Sequence, residues 1–134
     1  MIKRLLIFLM LLFPFNLMAQ NDDMVYDRTN VDVCAHFIGN GKIWVLDCRK
    51  YIDENLIYPQ KGIDEQIEGD VKINFIVEKD GTLTNFTVEQ SICDDFDAEA
   101  IRIFHQMPNW KPGLLNGEPI RQRISFTVTF KLKK

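Results

Sequence analysis

The longest regular pattern in the chain is an alternation of apolar and polar residues at its C-terminal end, Pro119–Leu132. One face would carry the apolar side chains Ile120, Ile124, Phe126, Val128, Phe130 and Leu132. The other would carry the polar side chains Arg121, Arg123, Ser125, Thr127, Thr129 and Lys131. Because successive side chains of a strand point to opposite faces, the pattern predicts a long strand with one buried face. One face in water is typical of an antiparallel sheet, and only Gln122 breaks the alternation.

Two shorter segments predict a hairpin that would extend the same sheet. Gly69–Glu78 alternates in the same way. Its apolar face would carry Val71, Ile73, Phe75 and Val77. Thr82–Gln90 would be the return strand, with Phe86 and Val88 facing inward. Between the two, Asp80-Gly81 favours a tight turn because both residue types tolerate the positive φ that such turns require.

Two further segments predict helices. In Lys42–Asn55 the apolar residues recur three and four positions apart, which is the spacing of one helical face. These residues are Trp44, Val45, Cys48, Tyr51 and Ile52. A second helix is expected after Asp94-Asp95, which are candidates for its N-cap, and it would end before Pro108. Its apolar face would carry Phe96, Ala100, Ile103, Phe104 and Met107.

The remaining segments predict connections. Asn21–Asn30 is polar and acidic and indicates a flexible tail, and Val31–Phe37 alternates weakly, as a short strand or an extended lead-in would. Lys61–Glu68 is expected to be a loop, and Trp110–Gly117 a long connection rich in turn residues. The predicted fold class is therefore α+β. A three-stranded antiparallel sheet would pack against two helices, in the order helix, strand, strand, helix, strand.

Met1–Ala19 has the three-part layout of a secretory signal peptide. Lys3 and Arg4 form a basic start, Leu5–Leu12 is an unbroken apolar run, and Ala19 is a small residue at a suitable cleavage point. A short membrane anchor is the alternative. The apolar run is shorter than the roughly 20 residues of a spanning helix. The sequence therefore predicts export with cleavage after residue 19.

The charge balance disfavours nucleic acid as a partner. The chain has 16 basic and 19 acidic residues, a net charge of −3. Loss of Lys3 and Arg4 with the signal would leave 14 basic and 19 acidic residues and a net charge of −5. Nucleic-acid binding requires a basic surface that neutralises phosphates, which this balance does not provide.

The cysteines and histidines predict no metal site. Cys34, Cys48 and Cys93 form no CxxC pair, and only His36 and His105 could join them as imidazole ligands. In an oxidising compartment an odd number of cysteines leaves at least one unpaired, or paired between chains. Cys48 falls on the apolar face of the first helix, which predicts a buried thiol.

No arrangement of residues predicts catalysis or a cofactor. Cys93 could be paired with a histidine as a nucleophile, but no spacing supports that pairing. The acidic cluster of residues 94–99 could be interpreted as a cation site, but it lacks a calcium-loop pattern and helix capping accounts for it. Arg121 and Arg123 could bind an anion, although a solvated strand face is the expected role. The chain is therefore predicted not to be an enzyme and to hold no cofactor.

Several short motifs occur in an order that resembles the TonB C-terminal domain family. In chain order they are Tyr58-Pro59, Ile67-Glu68-Gly69, Asp80-Gly81, Asp97–Ala100, Met107–Gly113 and Asn116–Pro119. The amphipathic final strand closes the set. Each motif is short, so their order and spacing carry the resemblance, which covers about residues 41–132.

The resemblance implies a TonB-like domain over residues 41–134, after a flexible or extended lead-in over residues 20–40. It assigns structural roles to turn and connection residues, which are Gly69, Asp80, Gly81, Pro108, Trp110, Pro112 and Gly117. Physical reasons agree with these roles. Glycine permits backbone geometry that a side chain would obstruct, and Trp110 between two prolines can hold the long connection against the sheet.

The resemblance also implies partner binding. TonB-type domains capture an extended peptide of an outer-membrane receptor, which adds a strand to an exposed sheet edge in the mode called β-augmentation. The implied edge is the last strand, Ile120–Leu132, with help from the segment around Tyr58. The implied partner-binding residues are Tyr58, Pro59, Arg121, Arg123, Ser125, Thr127 and Thr129. The implied location is the periplasm, or the inner membrane beside motor proteins if the N-terminal segment is an anchor.

The chain departs from complete transducers, which carry a spanning anchor and a long proline-rich linker. Here only about ten polar residues follow the hydrophobic segment, and fully extended they would reach roughly 35 Å. A second hypothesis therefore stands beside receptor binding. The chain would be a free-standing structural or assembly module whose sheet edge serves other proteins or a homodimer.

Overall fold

A five-stranded sheet packs against two longer helices in the computed structural model, which describes residues 23–133. The predicted signal segment lies outside the described residues. In chain order the elements are β1 (Val25–Tyr26), a 3₁₀ turn (Arg28–Asn30), α1 (Trp44–Asn55), α2 (Gln60–Asp64), β2 (Gly69–Val77), β3 (Leu83–Gln90), α3 (Asp94–Gln106), β4 (Gly113–Leu115) and β5 (Glu118–Phe130). The strand order is β1-β5-β2-β3, and β4 pairs with the beginning of β5.

The three predicted antiparallel strands form the body of this sheet, but the prediction of a three-stranded sheet was incomplete. β2 pairs antiparallel with both β3 and β5. Two short strands also pair with β5. β4 forms a hairpin with it through Asn116-Gly117, whose φ values of 53° and 78° fit a tight two-residue turn. β1 pairs with it in parallel. Strands of two and three residues are too short to show an alternation that sequence analysis could detect.

Two other local predictions also need correction. The segment expected to be a loop at Lys61–Glu68 begins with the short helix α2, which starts directly after Pro59. Proline's fixed φ and missing N–H suit a helix start. The N-cap of α3 is Cys93, with no side-chain capping bond, whereas Asp94 or Asp95 had been expected there. The acidic residues lie in the first turn instead, where they stabilise the positive end of the helix dipole.

The core lies between the sheet and the two longer helices, and it confirms the predicted apolar faces. Every predicted inward residue of β2 and α3 is buried. Trp110 is 2% exposed and meets the rings of Phe75, Phe37 and Trp44 edge-on. The long connection is therefore fixed to the core by its tryptophan, as predicted.

Gln122, which breaks the alternation of the last strand, is fully buried on the core face. Its Oε1 accepts the backbone N–H of Ala35 at 2.6 Å. Ala35 is itself fully buried, and a buried N–H needs an acceptor. Gln122 thus provides the hydrogen-bond acceptor that allows the segment around Ala35 to pass through the core.

Residues 31–37, named here the lead-in segment, lie against β4. The N–H groups of Asp32 and Val33 both donate to the carbonyl of Leu114, at 2.9 and 3.1 Å. His36 forms an isolated bridge with Lys111. The residues before the lead-in segment also differ from the predicted flexible tail, because from residue 23 onwards they contain β1 and the 3₁₀ turn.

Two glycines with positive φ provide a matched test of the turn geometry. Gly81 has φ 87°, and a Cβ there would lie 2.1 Å from the carbonyl oxygen of Trp110. Gly117 has φ 78°, and a Cβ would meet nothing within 4 Å. We expect Gly117→Ala to lower the free energy of unfolding by about 1–2 kcal/mol, the cost of the left-handed conformation. Gly81→Ala should cost about 2–3 kcal/mol more, because the Trp110 backbone must move. Urea unfolding of both variants measures the difference, and equal losses would contradict the steric account.

Cys48 should be the least reactive of the three thiols. It is fully buried, and burial raises its pKa to about 12, against a smaller opposing effect of Arg49. Because the thiolate is the reactive form, iodoacetamide at pH 8 should modify the half-buried Cys34 and Cys93 in the folded, reduced protein well before Cys48. Denatured protein, in which all three should react, is the control. Preferential labelling of Cys48, or a disulfide that includes it, would show that the core is packed differently.

Candidate functional site

β5 has one occupied side and one partly open side. On the occupied side, Gln122–Phe130 pairs with β2 in unbroken register. The other side is named here the outer edge, and on it β1 covers Arg121 and Gln122. Beyond Gln122, no strand within residues 23–133 pairs with the outer edge. The predicted edge strand is therefore open along Arg123–Phe130, directly after the two residues that β1 covers.

The backbone groups of the open stretch can be assigned to sides from one hydrogen bond. The N–H of Glu78, one residue beyond β2, donates to the carbonyl of Thr82 at 2.8 Å, towards β3. Backbone groups of successive strand residues point to alternate sides, so the N–H and C=O groups of Val77 point towards Gln122 of β5. Along β5, the N–H and C=O groups of the even-numbered residues then point towards β2. The outward residues are Ser125, Thr127 and Thr129, together with Arg123 at the junction with β1.

A second hydrogen bond agrees with this assignment at the other end. Just beyond β5, the N–H of Leu132 points towards the start of β2 and donates to Oε2 of Glu68 at 2.9 Å. The outward N–H and C=O groups of Ser125, Thr127 and Thr129 thus form a regular row. An unpaired row of this kind is the template on which an additional strand can pair.

β3, the opposite edge of the sheet, is less regular. Its register with β2 shifts twice, between Lys72 and Ile73 and between Asn74 and Ile76. Asn85 in this strand has φ 53°. Bulges twist an edge and interrupt its row of hydrogen-bonding groups, which is one way in which proteins prevent strand addition. Of the two edges, the outer edge of β5 is therefore the better template.

A groove of about 730 Å³, named here the edge groove, runs beside this template. One wall belongs to α1 and α2 and the segment between them, and the other to the end of β5 and the residues after it. The lining residues are Arg49, Ile52, Asp53, Leu56, Tyr58, Ile63, Thr127, Val128, Thr129, Lys131, Leu132 and Lys133. An added strand would direct every second side chain into this groove, onto the apolar surfaces of Leu56 and Ile63.

Tyr58 fixes one wall of the edge groove. Its ring meets Phe96 and Phe130 edge-on, with centroids 5.6 and 5.8 Å apart. Its hydroxyl donates to the carbonyl of Ile67. Burial, and then the nearby carboxylate of Glu68, raise the pKa of Tyr58, so the hydroxyl remains a donor. Tyr58 therefore lies in the predicted region with a clear positioning role.

The predicted arginines have different environments. Arg121 is held within the protein: its Nε lies 2.6 Å from Oε1 of Glu78, and its Nη1 donates to the carbonyl of Asp23 at 2.9 Å. This pairing lowers the pKa of Glu78 and raises that of Arg121. Arg123 is exposed at the start of the open stretch. Arg121 therefore serves internal structure, and Arg123 is the one of the pair that faces solvent beside the template.

The structure brings together most, but not all, of the predicted partner-binding residues. Tyr58, Thr127 and Thr129 line the edge groove, whereas Pro59 starts α2 and does not. Ser125 belongs to the outward row, and its hydroxyl bonds to the amide of Asn74 on the solvent face.

Sequence reasoning missed the helical wall of the edge groove. Arg49 lies over the ring of Phe126, with its Cζ 5.4 Å from the centroid. Leu56 lies just after the first predicted helix, and Ile63 lies in the segment predicted to be a loop. The signal that could have found them was the group of large apolar residues on both sides of Pro59.

Two further properties concern the described part of the chain as a whole. Among residues 23–133, no group of three or more His, Cys, Asp or Glu side chains is placed to hold a metal ion. Within the same range, no helix is both long enough and apolar enough to span a membrane.

Comparisons with known proteins agree on the domain type. The family described as the Gram-negative bacterial TonB protein C-terminal matches residues 54–132. The solution NMR structure of the Pseudomonas aeruginosa TonB CTD is 18% identical, with 84% of this chain and 98% of that chain covered and a TM-score of 0.53. An NMR structure of the Helicobacter pylori TonB-CTD is 22% identical, with 70% and 99% covered and a TM-score of 0.51. The comparison with curated proteins gives no match.

The two structural likenesses concern the fold, since the identities are low. The family match is the stronger finding, because it spans more than half of the chain and runs from the end of α1 to just beyond β5. The protein belongs to the TonB C-terminal domain family.

Proposed function

We propose that this protein is a periplasmic TonB-like binding module that captures an extended peptide segment of an outer-membrane receptor by β-augmentation on β5. The observation that carries the proposal is the regular row of outward backbone groups at Ser125, Thr127 and Thr129. This row lies beside an apolar groove, whereas the competing edge at β3 is bulged. The family to which the chain belongs acts in TonB-dependent transport, which is the setting we propose for this capture.

The open stretch is long enough for a short receptor segment. At about 3.3 Å per residue, the eight residues of Arg123–Phe130 extend over about 26 Å, enough for a partner strand of six to eight residues. Main-chain hydrogen bonds would contribute about 0.5–1.5 kcal/mol each. Apolar side chains of the partner would add to this by covering Leu56 and Ile63 in the edge groove.

The charges of the edge groove fit a role in binding. Arg49, Lys131 and Lys133 lie on its rim, against one acidic lining residue, Asp53. The surroundings of the template are thus basic, although the whole chain has a net charge of −3. Electrostatic attraction between this basic groove and an acidic partner would speed their encounter and orient the partner more than it would add affinity. Nothing in this arrangement resembles a reacting centre, and we propose a binding role without catalysis.

The proposed location rests on the N-terminal segment. Cleavage after Ala19 would release the module into the periplasm, whereas retention of residues 1–19 would keep it at the inner membrane, where motor proteins could reach it. We favour release, because the apolar run is short and is followed by Pro14 and Asn16. Self-association or assembly with other proteins through the same open stretch is the second candidate, and the unpaired row of Ser125–Thr129 is what favours it.

The substitution Thr127→Pro tests the template directly. Proline cannot donate to a ladder, and its ring would occupy the space of an added strand. Since the N–H of Thr127 faces outward, the fold should survive with a change in Tm of a few degrees. Affinity for receptor-derived peptides should fall at least about tenfold, which is 1.4 kcal/mol. Titration calorimetry against synthetic peptides from the periplasmic N-terminal segments of the host's receptors measures this.

Two control variants make the result specific. Thr127→Val keeps the N–H and the β-branched shape, so peptide affinity should change less than about threefold. Val128→Pro removes a donor that faces β2, so the domain itself should lose stability. Unchanged peptide binding by Thr127→Pro, or equal loss of binding by Thr127→Val, would contradict a main-chain binding mode.

A further inference from the structure

Two residues on the outer edge of β5 are already paired with another part of the same chain. β1 lies in parallel beside β5, with Val25 opposite Arg121 and Tyr26 opposite Gln122. It lies on the same edge as the open stretch and ends where that stretch begins. β1 therefore occupies the place that the end of a longer partner strand would take.

β1 leaves the edge abruptly after two residues. The 3₁₀ turn Arg28–Asn30 follows, and it is closed by a hydrogen bond from the N–H of Asn30 to the carbonyl of Asp27 at 3.2 Å. The turn ends the strand pairing, although its residues still lie near β5. Within residues 23–133, no strand therefore pairs with the outer edge from Arg123 onwards.

The attachments on the two sides of this turn differ in strength. After it, the chain is held by buried and backbone contacts: Ala35 bonds to Gln122, and Oδ2 of Asp32 accepts the N–H of Asn116 at 2.7 Å. Before it, within residues 23–133, the hydrogen bonds are the two-residue pairing of β1 and the bond from Arg121 to the carbonyl of Asp23. Val25 and Tyr26 are half-buried, and Met24 is 56% exposed. We therefore expect that the segment before the turn can be removed while the lead-in segment keeps its own contacts.

We propose that β1 is a stop built into the partner-binding edge: by occupying Arg121 and Gln122, it limits a captured strand to the residues from Arg123 onwards. This inference rests on the proposed function, because it assumes that partners bind on the outer edge. It assigns to the chain preceding the domain a role in setting the length and register of the captured strand. Partner strands of up to about eight residues bind unhindered, and longer ones lose their last pairings to β1.

The test compares three proteins that begin at Gln20, at Gln20 with Val25→Pro and Tyr26→Pro, and at Arg28. The double substitution removes both N–H donors of β1 without shortening the chain. It therefore tests the same point if the shorter protein folds poorly. Each protein is titrated with 6-residue and 12-residue synthetic peptides from the periplasmic N-terminal segments of the host's receptors. Backbone amide shifts locate the contact, and calorimetry gives the affinity.

In the intact protein, the shifts on β5 should begin at Arg123 for both peptides. In either altered protein, the shifts from the longer peptide should extend to Arg121 and Gln122, and its affinity should rise about threefold to tenfold. The affinity of the shorter peptide should not change, which is the internal control.

Two results would overturn the inference while leaving the proposed function standing. One is peptide binding along β5 with the same extent and affinity in all three proteins. The other is displacement of Val25 and Tyr26 by the longer peptide in the intact protein without loss of affinity. Absence of shifts along β5 in all three proteins would overturn the proposed function itself, and this inference with it.

Discussion

The nine-residue antiparallel ladder between β2 and β5 is the interaction on which the rest of the structure depends. It pairs Gly69–Val77 with Gln122–Phe130 without a register shift. Because the register is unbroken, the apolar residues of both strands reach the same face, where α1 and α3 cover them. The same regularity fixes which backbone groups of β5 face β2, and therefore which face outward. The core and the proposed binding template are consequences of one pairing.

Sequence patterns predicted the elements that are long enough for their periodicity to remain visible when one residue departs from it. The faces of β2, β5, α1 and α3 were identified because each has four or more apolar residues at the correct spacing. Family resemblance was confirmed by the match over residues 54–132. Turn residues such as Gly81 were also identified, since a positive φ restricts the choice of residue there.

The missed features all depend on contacts between distant segments. β1 and β4 are strands only because β5 lies beside them, and two or three residues carry no periodicity. Gln122 breaks the alternation of β5, and it accepts the backbone N–H of Ala35, 87 positions away. The edge groove is formed by α1, α2 and the end of β5, so no local spacing could indicate it. Arg121 was predicted to bind a partner, yet it is paired with Glu78, 43 positions away.

Strand addition on β5 would engage individual backbone amides, and hydrogen exchange measures the protection of each amide directly. In a saturated complex with a receptor-derived peptide, the outward amides of Ser125, Thr127 and Thr129 should exchange at least about tenfold more slowly than in the free domain. The amides of Phe126 and Val128 already bond to β2 and should change little. Protection confined to β3 or to the helices, with the three outward amides unchanged, would contradict strand addition on β5.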